Sequence, residues 1–248
     1  MIIVLNWKMN PQTLLEARTL VAVTKKAALK SPSTTVIIAP PTPFLGVLSQ
    51  GKAGVGILWA AQHIHEEESG SYTGDISAMQ VKSAGATHVI IGHAERRARG
   101  ETNDLVQKKV ARAFASGLTP IVCVGENTRD HSGEYLDVVR TQILAALGIL
   151  NRKQLKQVVI AYEPVWAIGA KDPMRAHDMH EMSIFIRKVL WEKFGKPRVS
   201  IPVLYGGAIL GGEHVQTMLH ESEVDGFLIG RASVDPEKIP ALFEALHA

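Results

Sequence analysis

Two apolar rhythms alternate along the chain. In the first, short runs rich in Val, Ile and Leu read as strands buried on both faces: Ile2–Asn6, Thr35–Ala39, Gly56–Ala61, His88–Gly92, Thr119–Val124, Val158–Tyr162, Ile201–Tyr205 and Gly226–Ile229. In the second, apolar residues recur three and four apart, as on a helix with one buried face. Leu14, Ala17, Val21, Thr24 and Ala28 do so early, and Met179, Met182, Ile186 and Val189 do so later. Asp235-Pro236 places an N-cap and a first-turn proline at the start of a last helix. Eight strands alternating with helices predict an α/β protein, a closed (β/α)8 barrel forming one domain over residues 1–248. The alternative is an open doubly wound sheet, and the lack of a glycine-rich dinucleotide fingerprint after the first strand counts against it.

The chain has 248 residues, of which 46% are hydrophobic and 21% charged, an ordinary globular composition. A formal charge of +3 suits a small anionic substrate and gives no footprint for nucleic acid, and no basic stretch with interleaved aromatics occurs. No apolar run approaches the roughly 18 residues of a membrane helix. Asn6 and Lys8 interrupt the first apolar run, which reads as a strand and not as a secretory leader. The single cysteine, Cys123, rules out an intramolecular disulfide and a multi-cysteine metal site, and a reducing cytoplasm is the expected location.

In a (β/α)8 barrel the active site lies at the carboxyl ends of the strands. There the sequence places Asn6 and Lys8, Gln62, Gly92 and His93, Cys123 and Glu126, Glu163, Gly206 and Gly207, and Gly230 and Arg231. The most informative stretch is Ala161-Tyr162-Glu163-Pro164-Val165-Trp166-Ala167-Ile168-Gly169. Pro164 ends the strand after Glu163, and the loop that follows carries Trp and Ile, which must bury against something. That pattern fits a base beneath a lid; it fits equally a strand-end acid on a solvated rim. Lys8 is a solvated charge or an amine over the barrel mouth that neutralises a phosphate or oxyanion. His93 follows a strand and a glycine at the start of a short helix, whose positive end favours a neutral ring. The turns Tyr205-Gly206-Gly207-Ala208 and Gly230-Arg231-Ala232-Ser233 expose backbone N–H groups to an anion, or are simply tight turns. Nothing beside Cys123 suggests an activated thiolate, and it reads as a small buried residue.

The nonapeptide resembles the active-site strand and lid of the triosephosphate isomerase family, and further motifs of that family recur in order along nearly the whole chain. The resemblance implies a TIM barrel that interconverts dihydroxyacetone phosphate and D-glyceraldehyde 3-phosphate, a step of glycolysis and gluconeogenesis, as a homodimer and without a cofactor or metal. It implies Glu163 as the base, His93 as the neutral acid, Lys8 and Asn6 as charge-stabilising and orienting groups, and Glu95 as a buried carboxylate supporting Lys8. It gives the phosphate to Gly169, Gly206, Gly207, Ala208, Gly230 and Arg231. The lid would be Pro164, Val165, Trp166, Ala167, Ile168, Gly169, Ala170 and Lys171. Gly70-Ser71-Tyr72-Thr73-Gly74-Asp75 resembles the loop that enters a neighbouring subunit, with Thr73 at its tip and Gln62 nearby. The chain departs from the family at Ala94 and Ala208, where Ser is usual, at Arg231, where Gly is usual, at His63, where Asn is usual, and in a shortened lid. These departures imply a lid that closes on Tyr205, Trp166 and Ile168.

Two clusters invite a metal: His63 with His65, and His177 with His180 and Glu181. Charged exposed loops are far commoner, and the expectation is no metal. Two other functions fit the same residues: an isomerase for a related sugar phosphate such as a tetrulose phosphate, and a silent barrel that binds phosphorylated metabolites. The second has no use for a base and an imidazole together.

Overall fold

The computed structural model describes residues 1–50, 56–130, 132–168, 173–195, 201–209 and 211–246. Eight parallel strands close into a barrel in chain order. They are β1 (Ile2–Asn6), β2 (Thr35–Ala39), β3 (Ile57–Ala61), β4 (His88–Ile91), β5 (Thr119–Val124), β6 (Val159–Tyr162), β7 (Val203–Tyr205) and β8 (Gly226–Ile229). The helices are α1 (Leu14–Ala28), α2 (Thr42–Ser49), α3 (Ala78–Ser83), α4 (Ala94–Arg97), α5 (Asn103–Ala115), α6 (Glu134–Leu147), α7 (Arg152–Leu155), α8 (Ala176–Phe194), α9 (Gly212–Ser222) and α10 (Lys238–Glu244). Two 3-10 turns, Val165–Ala167 and Arg231–Val234, follow β6 and β8.

The apolar alternation explains the closure. Val4, Ile37, Ile90, Ile121, Ala161, Leu204 and Leu228 fill the barrel interior, while Ile3, Leu5, Val36, Ile38, Val122 and Ile160 face the helices. Both faces are therefore apolar, as a buried parallel sheet requires. The predicted helix faces hold: Ala17, Val21, Thr24 and Ala28 of α1 and Met179, Met182, Ile186 and Val189 of α8 are buried.

Strand limits differ from the sequence reading where backbone chemistry intervenes. Gly56 and Gly92 take φ of +57° and +76°, outside the strand region, so β3 starts one residue later and β4 ends one residue earlier. Pro202 has no N–H for the ladder, and β7 starts after it. The last helix begins at Lys238, although Asp235 does receive the N–H groups of Lys238 and Ile239 on its carbonyl oxygen.

The barrel closes between β1 and β8, in the register Ile2↔Gly226 to Leu5↔Ile229. Gly226 sits at φ +150°, and a Cβ there would overlap the Ile2 carbonyl. Gly226→Ala is expected to destabilise the fold by at least about 3 kcal/mol, combining backbone strain with overpacking. Urea denaturation checks this; an unchanged midpoint would mean that the seam tolerates a side chain.

Candidate active site

Period-two alternation carries the inner face of each strand up to the barrel mouth. Val4 points inward, so Asn6 does; Ala161 points inward, so Glu163 does; Leu204 and Leu228 lead likewise to Gly206 and Gly230. Asn6, Glu163, Gly206 and Gly230 all line one cavity of about 290 Å³, together with Lys8, His93, Ile168, Gly207, Ala208, Arg231 and Lys238.

Glu163 is 2% exposed and shares its charge between two partners. Its Oε1 lies 3.0 Å from His93 Nε2, and its Oε2 accepts the backbone N–H of Ala94 at 2.9 Å. His93 caps α4, and its Nδ1 accepts the N–H of Glu95 at 3.1 Å. A nitrogen that accepts carries no proton, so the neutral ring has its proton on Nε2 and donates it to Glu163. The ring therefore has a donor facing the cavity whose partner is the candidate base.

Space for Glu163 is made by glycine. A Cβ on Gly206 would come within 2.8 Å of Glu163 Cγ, and one on Gly125 would overlap the Glu163 carbonyl. Two buried clamps hold the glycine turns beside it. The Gly92 N–H donates to Glu101 Oε1 at 2.9 Å, and the Gly92 carbonyl accepts from Arg97 Nε at 2.8 Å. On the other side, Gln142 of α6 accepts the Gly125 N–H at 2.8 Å and donates to the Gly125 carbonyl at 3.0 Å.

Lys8 stands at φ +54°, with its N–H on Asn6 Oδ1 and its carbonyl bound by Gln62 Nε2. Its ammonium group is 2.7 Å from Glu95 Oε1. Partial burial would raise the Glu95 carboxyl, but the Lys8 hydrogen bond and charge outweigh it and hold it below the usual carboxylate range. The expected buried support is thus present as a pair with Lys8, with one correction: the Glu95 side chain is 56% exposed in the single chain, because α4 is short and lies on the surface. Gln62 supports the Lys8 loop from within the same chain, and Thr73 is exposed.

The turn after β8 is folded by Ser233, which is fully buried and donates from Oγ to the Gly230 carbonyl at 2.6 Å. A Cβ on Gly230 would sit 3.2 Å from Lys8 Cε, so the glycine lets the lysine cross the cavity. At the lid, Pro164 to Ile168 are described, whereas Gly169, Ala170 and Lys171 lie outside the described residues. Glu126, 1% exposed, accepts the Tyr162 hydroxyl and, at 2.8 Å, Trp166 Nε1, while its carbonyl accepts the Val165 N–H. Trp166 is pinned at its nitrogen yet 36% exposed, less buried than an apolar loop suggested. Tyr205 is fully buried, with its hydroxyl against Gly207.

The two histidine clusters resolve differently. His63 Nε2 faces Arg96 at 3.1 Å and its Nδ1 faces Glu101 at 3.7 Å, whereas His65 binds the Glu67 N–H and stacks on Tyr72, so the pair does not converge. Near α8, His177 gathers with Asp178 and Glu181, not with His180, and Asp178 is held by Arg175 at 2.9 Å. The sequence reading missed Arg97, Glu101, Gln142 and Lys238. All four lie on outer helices or the loop before one, and the first three act on backbone groups of the strand-end glycines, Gly92 and Gly125. A buried ion pair, Glu101 with Lys109 at 3.0 Å, was the one detectable trace, since Lys109 sits on the apolar face of α5 with Val106 and Ala113.

A family model described as triosephosphate isomerase matches residues 1–246. A curated triosephosphate isomerase from Moorella thermoacetica is 37% identical over 239 residues, covering 96% of this chain and 95% of that protein. The crystal structure of triosephosphate isomerase from Bartonella henselae superposes with a TM-score of 0.84 at 32% identity, covering 100% of this chain and 99% of that one.

The His63 cluster gives a pH prediction. Burial, then the charges of Lys109 and Arg96, push its imidazole from an ordinary 6.5 down to about 4. Protonation therefore favours the unfolded chain. The stabilising contribution of neutral His63 is complete above pH 6.5 and is lost as pH falls toward 4. His63→Asn is expected to shrink the loss of stability between pH 7.5 and 4.5 by on the order of 1–2 kcal/mol, read from urea midpoints. An unaltered pH slope would assign the acid sensitivity elsewhere.

Proposed function

The chain belongs to the triosephosphate isomerase family, and we propose from its site geometry how its residues divide the work. It is an isomerase that interconverts dihydroxyacetone phosphate and D-glyceraldehyde 3-phosphate. The observation that carries the proposed roles is the buried pair of Glu163 and neutral His93, 3.0 Å apart, beside Lys8 in one cavity.

In this structure the base and the acid satisfy each other. A substrate carbonyl oxygen replaces Glu163 as acceptor of the His93 Nε2–H, and Glu163 turns toward the carbon between carbonyl and hydroxyl. Glu163 removes the proton from C1 of the ketose, and the pair of electrons moves into an enediolate. His93 donates its proton to the carbonyl oxygen and takes one from the neighbouring hydroxyl, ending neutral again. Glu163 then returns its proton to C2, giving the aldehyde. Base and acid are both regenerated, and a 1,2-proton shift of this kind requires no redox partner. Lys8 stabilises the developing oxyanion, and Asn6 orients the substrate. Backbone N–H groups of Gly207, Ala208, Gly230 and Arg231 hold the phosphate, with Gly206 giving room, and the family resemblance adds the N–H of Gly169. The lid of residues 164–171 excludes water from the enediolate.

The same reading assigns the chain to glycolysis and gluconeogenesis in the cytoplasm, working as a homodimer with the 70–75 loop, tipped by Thr73, reaching a second copy. Among the described residues no helix is long and apolar enough to cross a membrane.

A coupled assay of glyceraldehyde 3-phosphate isomerisation tests the roles. Glu163→Gln keeps the shape and removes the base, and is expected to lower kcat by roughly 10³–10⁴ with little change in substrate binding. An unchanged kcat overturns the assignment of the base. Arg231→Gly is expected to change KM for phosphate esters more than kcat; a pure kcat effect would place that side chain in the chemistry instead.

A further inference from the structure

The phosphate end of the cavity contains a cation outside the set of main-chain donors just assigned. Lys238, the first residue of α10, lines the cavity with Gly230, Arg231 and Ala232. Its ammonium group is 3.1 Å from Asp235 Oδ2. Asp235 also accepts the Glu237 N–H on Oδ1 at 3.1 Å, and the Lys238 hydrogen bond is the first cause holding its carboxyl below the usual range. The Lys238 side chain is 64% exposed, so this ion pair is screened by water and is weakly held.

We propose that Lys238 is a specificity residue for the phosphate group: it adds side-chain charge beside the backbone N–H groups of the turn, and it exchanges between Asp235 and the phosphate. The inference rests on the reading that phosphate sits at the Gly230–Arg231 turn. The exchange follows from charge. Asp235 offers a lysine one negative charge in water, whereas a phosphate monoester dianion offers two, inside a cavity where water screens them less. The flexible four-carbon stem lets the ammonium group move between the two without moving the backbone. Lys8, the other lysine on the cavity wall, also passes the Gly230 turn but is paired with Glu95 at 2.7 Å, so Lys238 is a second lysine within reach of the phosphate, with the more exposed side chain of the two.

Inorganic phosphate, tested as a competitive inhibitor of the isomerase, distinguishes the roles. Lys238→Met is expected to raise its inhibition constant about three- to tenfold at low salt and to flatten the salt dependence of inhibition. Asp235→Asn keeps the Oδ1 acceptor for the helix start and removes the competing charge. It is expected to shift the constant the opposite way, toward tighter inhibition. Equal inhibition constants in the parent and Lys238→Met overturn the proposal while leaving the phosphate turn in place. Inhibition absent or non-competitive in the parent itself overturns the reading of the turn, and the proposal with it.

Discussion

A carboxylate buried at 2% exposure is expensive unless its charge is shared, and the barrel mouth is arranged around meeting that demand at Glu163. Two donors, the Ala94 N–H and His93 Nε2–H, meet it. Each depends on something further out. The Ala94 N–H is free because it belongs to the first turn of α4, where no preceding carbonyl is available. The His93 donor faces inward because the Glu95 N–H fixes the ring's other nitrogen. Glycine at 125 and 206 is required by the same residue, since a Cβ would strike its main-chain carbonyl from 125 and its Cγ from 206. The outer helices then hold those turns through Gln142, Arg97 and Glu101.

This layering explains what was legible in the sequence. A strand buried on both faces writes itself as an apolar run, so all eight strands were readable, and their order followed from alternation with helices. The ends were less so: Gly92 could extend β4 by composition, and only its φ of +76° removes it. Residues at the mouth were readable because they sit at fixed offsets after those runs; Asn6, His93, Glu163 and Gly230 do gather in one cavity. The clamps were not, because nothing in the local sequence of α6 says that Gln142 reaches across to Gly125. Its pairing is a property of helix packing against β5. Lys238 was hidden for the same reason: a lysine after Asp-Pro-Glu reads as an exposed first-turn charge, and only the closure of β8 onto β1 brings it beside the cavity.

The substitutions that set this chain apart gain meaning from which atoms the site uses. Ala94 lacks a hydroxyl, but the contact it makes with Glu163 is through its N–H, which any residue except proline supplies. Ala208 and Arg231 stand where the proposed phosphate donors are main-chain groups, so changes of side chain there leave those donors present. The turn's shape comes from Gly230 and the buried Ser233, both still in place. Main-chain donors of this kind survive a change of side chain, while Arg231 and Lys238 adjust how tightly the phosphate is held. The residues that cannot vary are those whose side chains move protons, Glu163 and His93, and the glycines that make room for them.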